Sequence, residues 1–143
     1  MYPSIALEVV VPGIEVGRRI LIVDDESVIT ETLAVIFSNH GYEARTALSA
    51  EEAIEIIAVW EPEIAILDVM LPCMNGIELA LVLKSNHPRC RLVLFSGHQS
   101  TQALMEEAAK KGNIFEILAK PVHPLFMLDY VASLFADAQE GPR

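Results

Sequence analysis

Short apolar runs alternate with longer segments of helical period along most of this chain. Ile20-Leu21-Ile22-Val23, Ile64-Ala65-Ile66-Leu67 and Leu92-Val93-Leu94-Phe95 are continuous apolar runs. Runs of this length predict strands buried on both faces. Tyr42 to Ala47 alternates instead, which predicts a strand nearer a sheet edge. Phe115 to Ala119 predicts a fifth strand. Between these lie five helical segments. The first runs from about Ser27 to Ser38, with Val28, Leu33, Ile36 and Phe37 expected on one side and Gly41 as a left-handed cap. The second opens with a capping box at Ser49 and Glu52 and runs through Trp60. Pro72 and Asn75-Gly76 mark a loop, and a short third helix is expected over Ile77 to Lys84. The fourth spans Thr101 to Lys111, stopped by Gly112, and the last spans Pro124 to Phe135.

Five strands alternating with five helices predict an α/β fold. Its form would be a doubly wound five-stranded parallel sheet covered on both faces. Residues 1–18 fall outside the repeating pattern and read as an N-terminal extension. Residues 19–136 form the domain, and residues 137–143 read as a short C-terminal tail. The apolar start of the extension lacks a basic segment and a cleavage site, and is broken by Pro3, Pro12 and Gly13.

Charge narrows the function. The formal net charge is −10, with 10 Lys+Arg against 20 Asp+Glu. That balance disfavours direct binding to nucleic acid or anionic lipid, and suits a divalent cation or a basic partner. Cys73 and Cys90 are isolated, without the spacing of a zinc site, and fit a reducing compartment. No run reaches the ~18 apolar residues of a membrane span. A cytoplasmic location is the expectation.

In an open α/β sheet, ligands bind beyond the carboxyl ends of the strands. The first strand ends in Asp24-Asp25, the third in Asp68, the fourth in Ser96-Gly97 and the fifth in Lys120-Pro121. Three carboxylates, a hydroxyl and an ammonium are thus expected at one sheet edge. Crowded carboxylates raise each other's pKa unless a cation relieves them. Mg²⁺ suits such oxygen donors and keeps positions for phosphate oxygens. An aspartate flanked this way is a candidate nucleophile at phosphorus. Taken alone, Asp24-Asp25 also reads as a helix cap and Ser96-Gly97 as turn chemistry.

The segments Ile20 to Glu26 (ILIVDDE), Ile66 to Gly76 (ILDVMLPCMNG), Leu92 to Gly97 (LVLFSG) and Ile117 to Pro121 (ILAKP) resemble the motifs of response-regulator receiver domains. The resemblance is to a stand-alone, chemotaxis-regulator-like member, and covers roughly Arg19 to Phe135. It implies a flavodoxin-like fold with strand order 2-1-3-4-5. By position it implies Asp68 as phosphoacceptor, and Asp24, Asp25, Asp68 and the Met70 backbone carbonyl as holders of Mg²⁺. Ser96 would be the switch hydroxyl and Lys120 the phosphate contact, with a Lys120-Pro121 bond that is often cis in the family. The implied function is receipt of a phosphoryl group in a two-component phosphorelay. The donor would be a sensor histidine kinase or a phosphotransfer protein. The signal would leave through the face of helix 4, strand 5 and helix 5 to a downstream protein target. The chain would be no enzyme beyond its own phosphorylation and dephosphorylation.

One departure bears on the switch. Ile117 stands where the family usually has an aromatic residue, and Phe115 lies two positions earlier. This keeps open a pseudo-receiver that binds partners without being phosphorylated. An aspartate-nucleophile phosphohydrolase would need an acid where Met70 stands. A flavodoxin-like nucleotide binder would need a Gly-rich loop after the first strand, where Asp24-Asp25 stands instead. His98 reads as a solvent-facing residue beside the fourth helix.

Overall fold

The computed structural model describes residues 18–97, 101–112, 115–120 and 122–140. Residues 1–17 of the expected 1–18 extension, His98, Pro121 with its bond to Lys120, and the last residues 141–143 lie outside the described residues, while Arg18 already belongs to the first strand. The elements are β1 (Arg18–Val23), α1 (Ser27–Asn39), β2 (Tyr42–Ala47), α2 (Ala50–Val59), β3 (Ile64–Asp68), α3 (Gly76–Asn86), β4 (Arg91–Ser96), α4 (Thr101–Lys110), β5 (Glu116–Ala119) and α5 (Pro124–Glu140). The sheet is parallel throughout, in the order β2-β1-β3-β4-β5. This is the doubly wound architecture expected from the alternating runs.

Each face of the sheet carries its own core. Alternation sends Ile20, Ile22, Ile64, Ile66, Val93 and Phe95 to the face covered by α1 and α5, where they meet Leu33, Phe37, Met127 and Val131. Leu21, Val23, Ala65, Leu67 and Leu94 go to the other face, against α2, α3 and α4. Strands buried on both sides leave their carboxyl ends as the place where polar groups gather. β2 sits at the edge and alternates half-buried with exposed residues, as its pattern predicted.

Local chemistry moves several expected boundaries. The inner row of α1 is Thr30, Leu33 and Phe37. Val28, expected on that side, is 75% exposed, and Ile36 is half-buried. Thr30 tolerates burial because its hydroxyl donates to the Ser27 carbonyl at 3.1 Å. After α1 the chain reverses at Gly41, whose φ of +93° suits glycine. At α2, Ser49 Oγ accepts the Glu52 N–H at 3.0 Å. The Glu52 carboxylate reaches past Ser49 to the Leu48 N–H, so the expected reciprocal box is only half made. Trp60 lies outside the helix in an extended conformation.

Asn75-Gly76, expected within a loop, instead opens α3. Asn75 is the N-cap of α3 and forms a full capping box with Glu78, at 2.8 and 3.0 Å. Gly76 is the first helical residue. α5 also outruns its expected end at Phe135 and continues to Glu140. Ala136 to Glu140 contain no Gly or Pro, and Ala, Gln and Glu are good helix formers. Residues 137–140, expected to be tail, are therefore helical.

Candidate functional site

The switch point of a doubly wound sheet lies where the chain order reverses, here between β1 and β3. Asp24 follows β1 immediately and Asp68 ends β3. Asp24 stands two residues past Ile22, and Asp68 two past Ile66, so alternation puts both on the α1–α5 side. Both are buried, at 0% and 4% exposure, while Asp25 is exposed. One carboxylate oxygen from each of Asp24, Asp25 and Asp68 lies within 4.8 Å of the other two.

Lys120, leaving β5, meets the two buried carboxylates. Its Nζ donates to Asp24 Oδ2 at 3.1 Å and pairs with Asp68 Oδ1 at 3.4 Å. Asp24 Oδ1 accepts the Glu26 N–H at 2.9 Å, an Asx turn that leads into α1, whose N-cap is Glu26 with no side-chain cap, so the cap role considered for Asp24 is not the one it takes. Asp68 Oδ1 accepts the Met70 N–H at 3.3 Å. The Lys120 N–H donates to the Ser96 carbonyl at 3.0 Å and ties the β5 exit to the β4 exit. Ser96 itself is buried at the end of β4.

The electrostatics follow from burial. Burial raises the Asp68 carboxyl above the usual carboxylate range, and the neighbouring Asp24 charge raises it further. Lys120 and the Met70 N–H pull it back only in part. For Lys120, burial works to lower the ammonium, but the hydrogen bond to Asp24 and the charges of Asp68 and Asp24 together hold it above its ordinary value. One ammonium, in contact with two of them, thus stands against a cluster of three carboxylates. The donor set is all oxygen, it carries excess negative charge, and Asp25 opens it to solvent. Those features fit a hard divalent cation such as Mg²⁺.

Asp24, Asp25, Asp68, Ser96, Gly97 and Lys120, the described residues among the strand ends singled out above, therefore stand at one edge. Met70 is half-buried and packs against the α2–α4 core. Phe115 is buried against the same core, with Lys84 Nζ 5.7 Å from its ring centroid, and Ile117 is half-buried beside it. Two residues at the site escaped the sequence reading. Phe95 places its ring 4.8 Å from Lys120 Nζ. Gly76 lies so close to Asp68 that a Cβ there would stand 2.1 Å from the Asp68 carbonyl oxygen. Neither carried a signal in the sequence: Phe95 becomes a neighbour of the site only through the register that pairs it with Asp68 across β3 and β4.

The loop after Asp68 holds Cys73, exposed and at a left-handed φ of 64°. Cys90 is buried, and burial, aided by Glu61, pushes its thiol up to about 12. Iodoacetamide near neutral pH should therefore add one carbamidomethyl group to the native protein, at Cys73, and a second only in denaturant. Peptide mapping checks this. Equal labelling of both native thiols would contradict the burial of Cys90.

Comparison with known proteins agrees with this geometry. The family described as response regulator receiver domain matches residues 20–132. The nitrogen assimilation regulatory protein NtrX of Azorhizobium caulinodans is 38% identical over 107 residues. That match takes in 73% of this chain and only 23% of NtrX. The chemotaxis protein CheY of Thermotoga maritima is 33% identical over 109 residues, which is 76% of this chain and 89% of CheY. Among solved structures, a CheY-like receiver domain protein from Methanospirillum hungatei superposes with a TM-score of 0.78 at 25% identity. The superposition covers 88% of this chain and 99% of that one. Among the described residues, no helix is long and apolar enough to cross a membrane. With the strand order, the acidic cluster and the lysine already in place, these matches mean that the chain belongs to the response-regulator receiver domain family.

Proposed function

We propose that Asp68 accepts a phosphoryl group from a phosphohistidine on a sensor histidine kinase or phosphotransfer protein. The observation that carries this reading is the shared grip of Lys120 on Asp24 and Asp68, two buried carboxylates at the sheet's switch point. A carboxylate oxygen of Asp68 attacks phosphorus, the bond to the donor's imidazole nitrogen breaks, and that nitrogen leaves with the electron pair. Lys120 then exchanges its contact with Asp68 for a phosphoryl oxygen, and the Ser96 hydroxyl donates to another. Asp24, Asp25, Asp68 and the Met70 backbone carbonyl would hold Mg²⁺. When bound, it supplies neutralisation of the charge on the equatorial oxygens, which is most of what phosphoryl transfer requires.

The output is a shift in a pre-existing equilibrium of the face made by α4, β5 and α5, read by a downstream protein target. A cytoplasmic setting suits both the donor and the reduced thiols. The test is intact mass after incubation with Mg²⁺ and acetyl phosphate, beside Asp68→Asn. A phosphoryl-sized gain in the parent and none in the variant is expected. No gain in the folded parent would favour a pseudo-receiver, the reading that Ile117 keeps in play.

A further inference from the structure

We infer that Phe95 and Gly97 are positioning residues, forming together the seat that holds the Lys120 ammonium between Asp24 and Asp68. This rests on the reading that Lys120 contacts the transferred phosphoryl group. A lysine stem has four rotatable bonds, and its end is a compact charge without a preferred plane. Two carboxylates alone, at 3.1 and 3.4 Å, leave it free to slide between them. The β4 exit removes that freedom at two points.

The first point is the ring of Phe95. Its centroid lies 4.8 Å from Nζ, within cation–π range, and the ring is 2% exposed. Val93 and Leu118, its neighbours along and across the strands, are ordinary aliphatic residues, so filling that face of the sheet does not demand an aromatic. The ring is also not enclosed on every side. A cavity of about 450 Å³ opens beside it between α1 and α5, lined by Ile29, Leu33, Val122 and Met127 together with Phe95 and Lys120.

The second point is Gly97. Its φ lies outside the left-handed region, so backbone conformation does not call for glycine. What it leaves is room. A Cβ at 97 would stand 3.3 Å from Lys120 Cβ and 4.0 Å from Cδ. The lysine stem thus crosses the β4 exit over the one residue without a side chain. The Lys120 N–H on the Ser96 carbonyl anchors the base of that stem. Phe95-Ser96-Gly97 therefore offers a ring, an anchor and a gap in consecutive positions.

The experiment compares the parent with Phe95→Leu, Phe95→Tyr and Gly97→Val. It measures phosphorylation rate from acetyl phosphate with Mg²⁺, urea midpoints, and NMR of the lysine side chains, with Lys120→Arg identifying the Lys120 signals. In the parent, the Lys120 Hε signals should be shifted upfield by the ring. Phe95→Leu should lose that shift and slow phosphorylation roughly three- to tenfold, the range of a partly desolvated cation–π contact. Phe95→Tyr should restore both, and Gly97→Val should lose both. Phe95→Leu reacting at the parent rate would overturn the inference. So would Leu and Tyr variants that lose rate together in proportion to lost stability. If the parent takes no phosphoryl group, the reading of Asp68 fails, and the Lys120 ring shift alone decides the seat: its presence supports it and its absence overturns it.

Discussion

Replacing Gly76 with alanine should destabilise the protein by about 3 kcal/mol, at the upper end of what overpacking costs. Intrinsic helix propensity argues the other way, since alanine in place of glycine favours a helix by about 1 kcal/mol. The close approach decides the sign. An alanine Cβ would meet the Asp68 carbonyl oxygen at 2.1 Å, and both the Asp68 carbonyl carbon and Val69 Cα at 2.8 Å. All three are backbone atoms, so no side chain can swing aside. The Gly76 N–H also donates to the Val69 carbonyl at 2.8 Å, which binds the start of α3 to the exit of β3. Moving either segment breaks that bond or shifts the residue that carries the acceptor carboxylate. Phosphorylation should therefore slow by well over tenfold, because a misplacement of about 1 Å can cost roughly a hundredfold. Urea denaturation and the acetyl phosphate rate check both halves. A Gly76→Ala protein as stable as the parent would show that the approach is relieved without cost.

Gly76 also marks the boundary of what the residues disclose on their own. The strands were legible because continuous aliphatic runs admit few other readings. Their polar ends were legible because Asp24, Asp68, Ser96 and Lys120 each interrupt such a run. Asn75-Gly76 was not, because the same dipeptide serves as a turn and as a helix entry. The discriminating residue was Glu78, three positions past Asn75, where a capping box places it. Val28 misled because an aliphatic residue in a helical period carries no label for its face. The satisfied hydroxyl of Thr30 took the inward position instead. Phe95 was hidden inside its own run, where nothing separates a core aromatic from one that faces an ammonium. Only the register of β3 against β4, which pairs Asp68 with Phe95, makes it a neighbour of the site. Contacts of this kind depend on which strands pair, and the local sequence does not carry that information.

The register of β1 against β3, which ends with Val23 beside Leu67, sets the next residues, Asp24 and Asp68, side by side, so the fold is strained by charge there and substitutions at the site should have effects of opposite sign. In metal-free buffer, Asp68→Asn should be more stable than the parent by about 1 kcal/mol, because the burial and like-charge repulsion that disfavour the ionised carboxylate exceed the help of its neighbours. Asparagine keeps an oxygen to accept the Met70 N–H, so the loss on the other side is confined to the ion pair with Lys120. Lys120→Met should go the other way, by about 3 kcal/mol, since it leaves fully buried Asp24 and nearly buried Asp68 without a compensating charge. Saturating Mg²⁺ should then stabilise the parent by mass action more than it stabilises Asp68→Asn, narrowing the gap between them. Urea midpoints with chelator and with Mg²⁺ measure all three. Asp68→Asn unfolding before the parent in chelator would mean that Lys120 already balances the pocket, and that the excess negative charge which invites a cation is absent. The activity should move against stability. The variant that folds best is the one expected to accept no phosphoryl group, because the charge that costs the fold is the charge that attacks phosphorus.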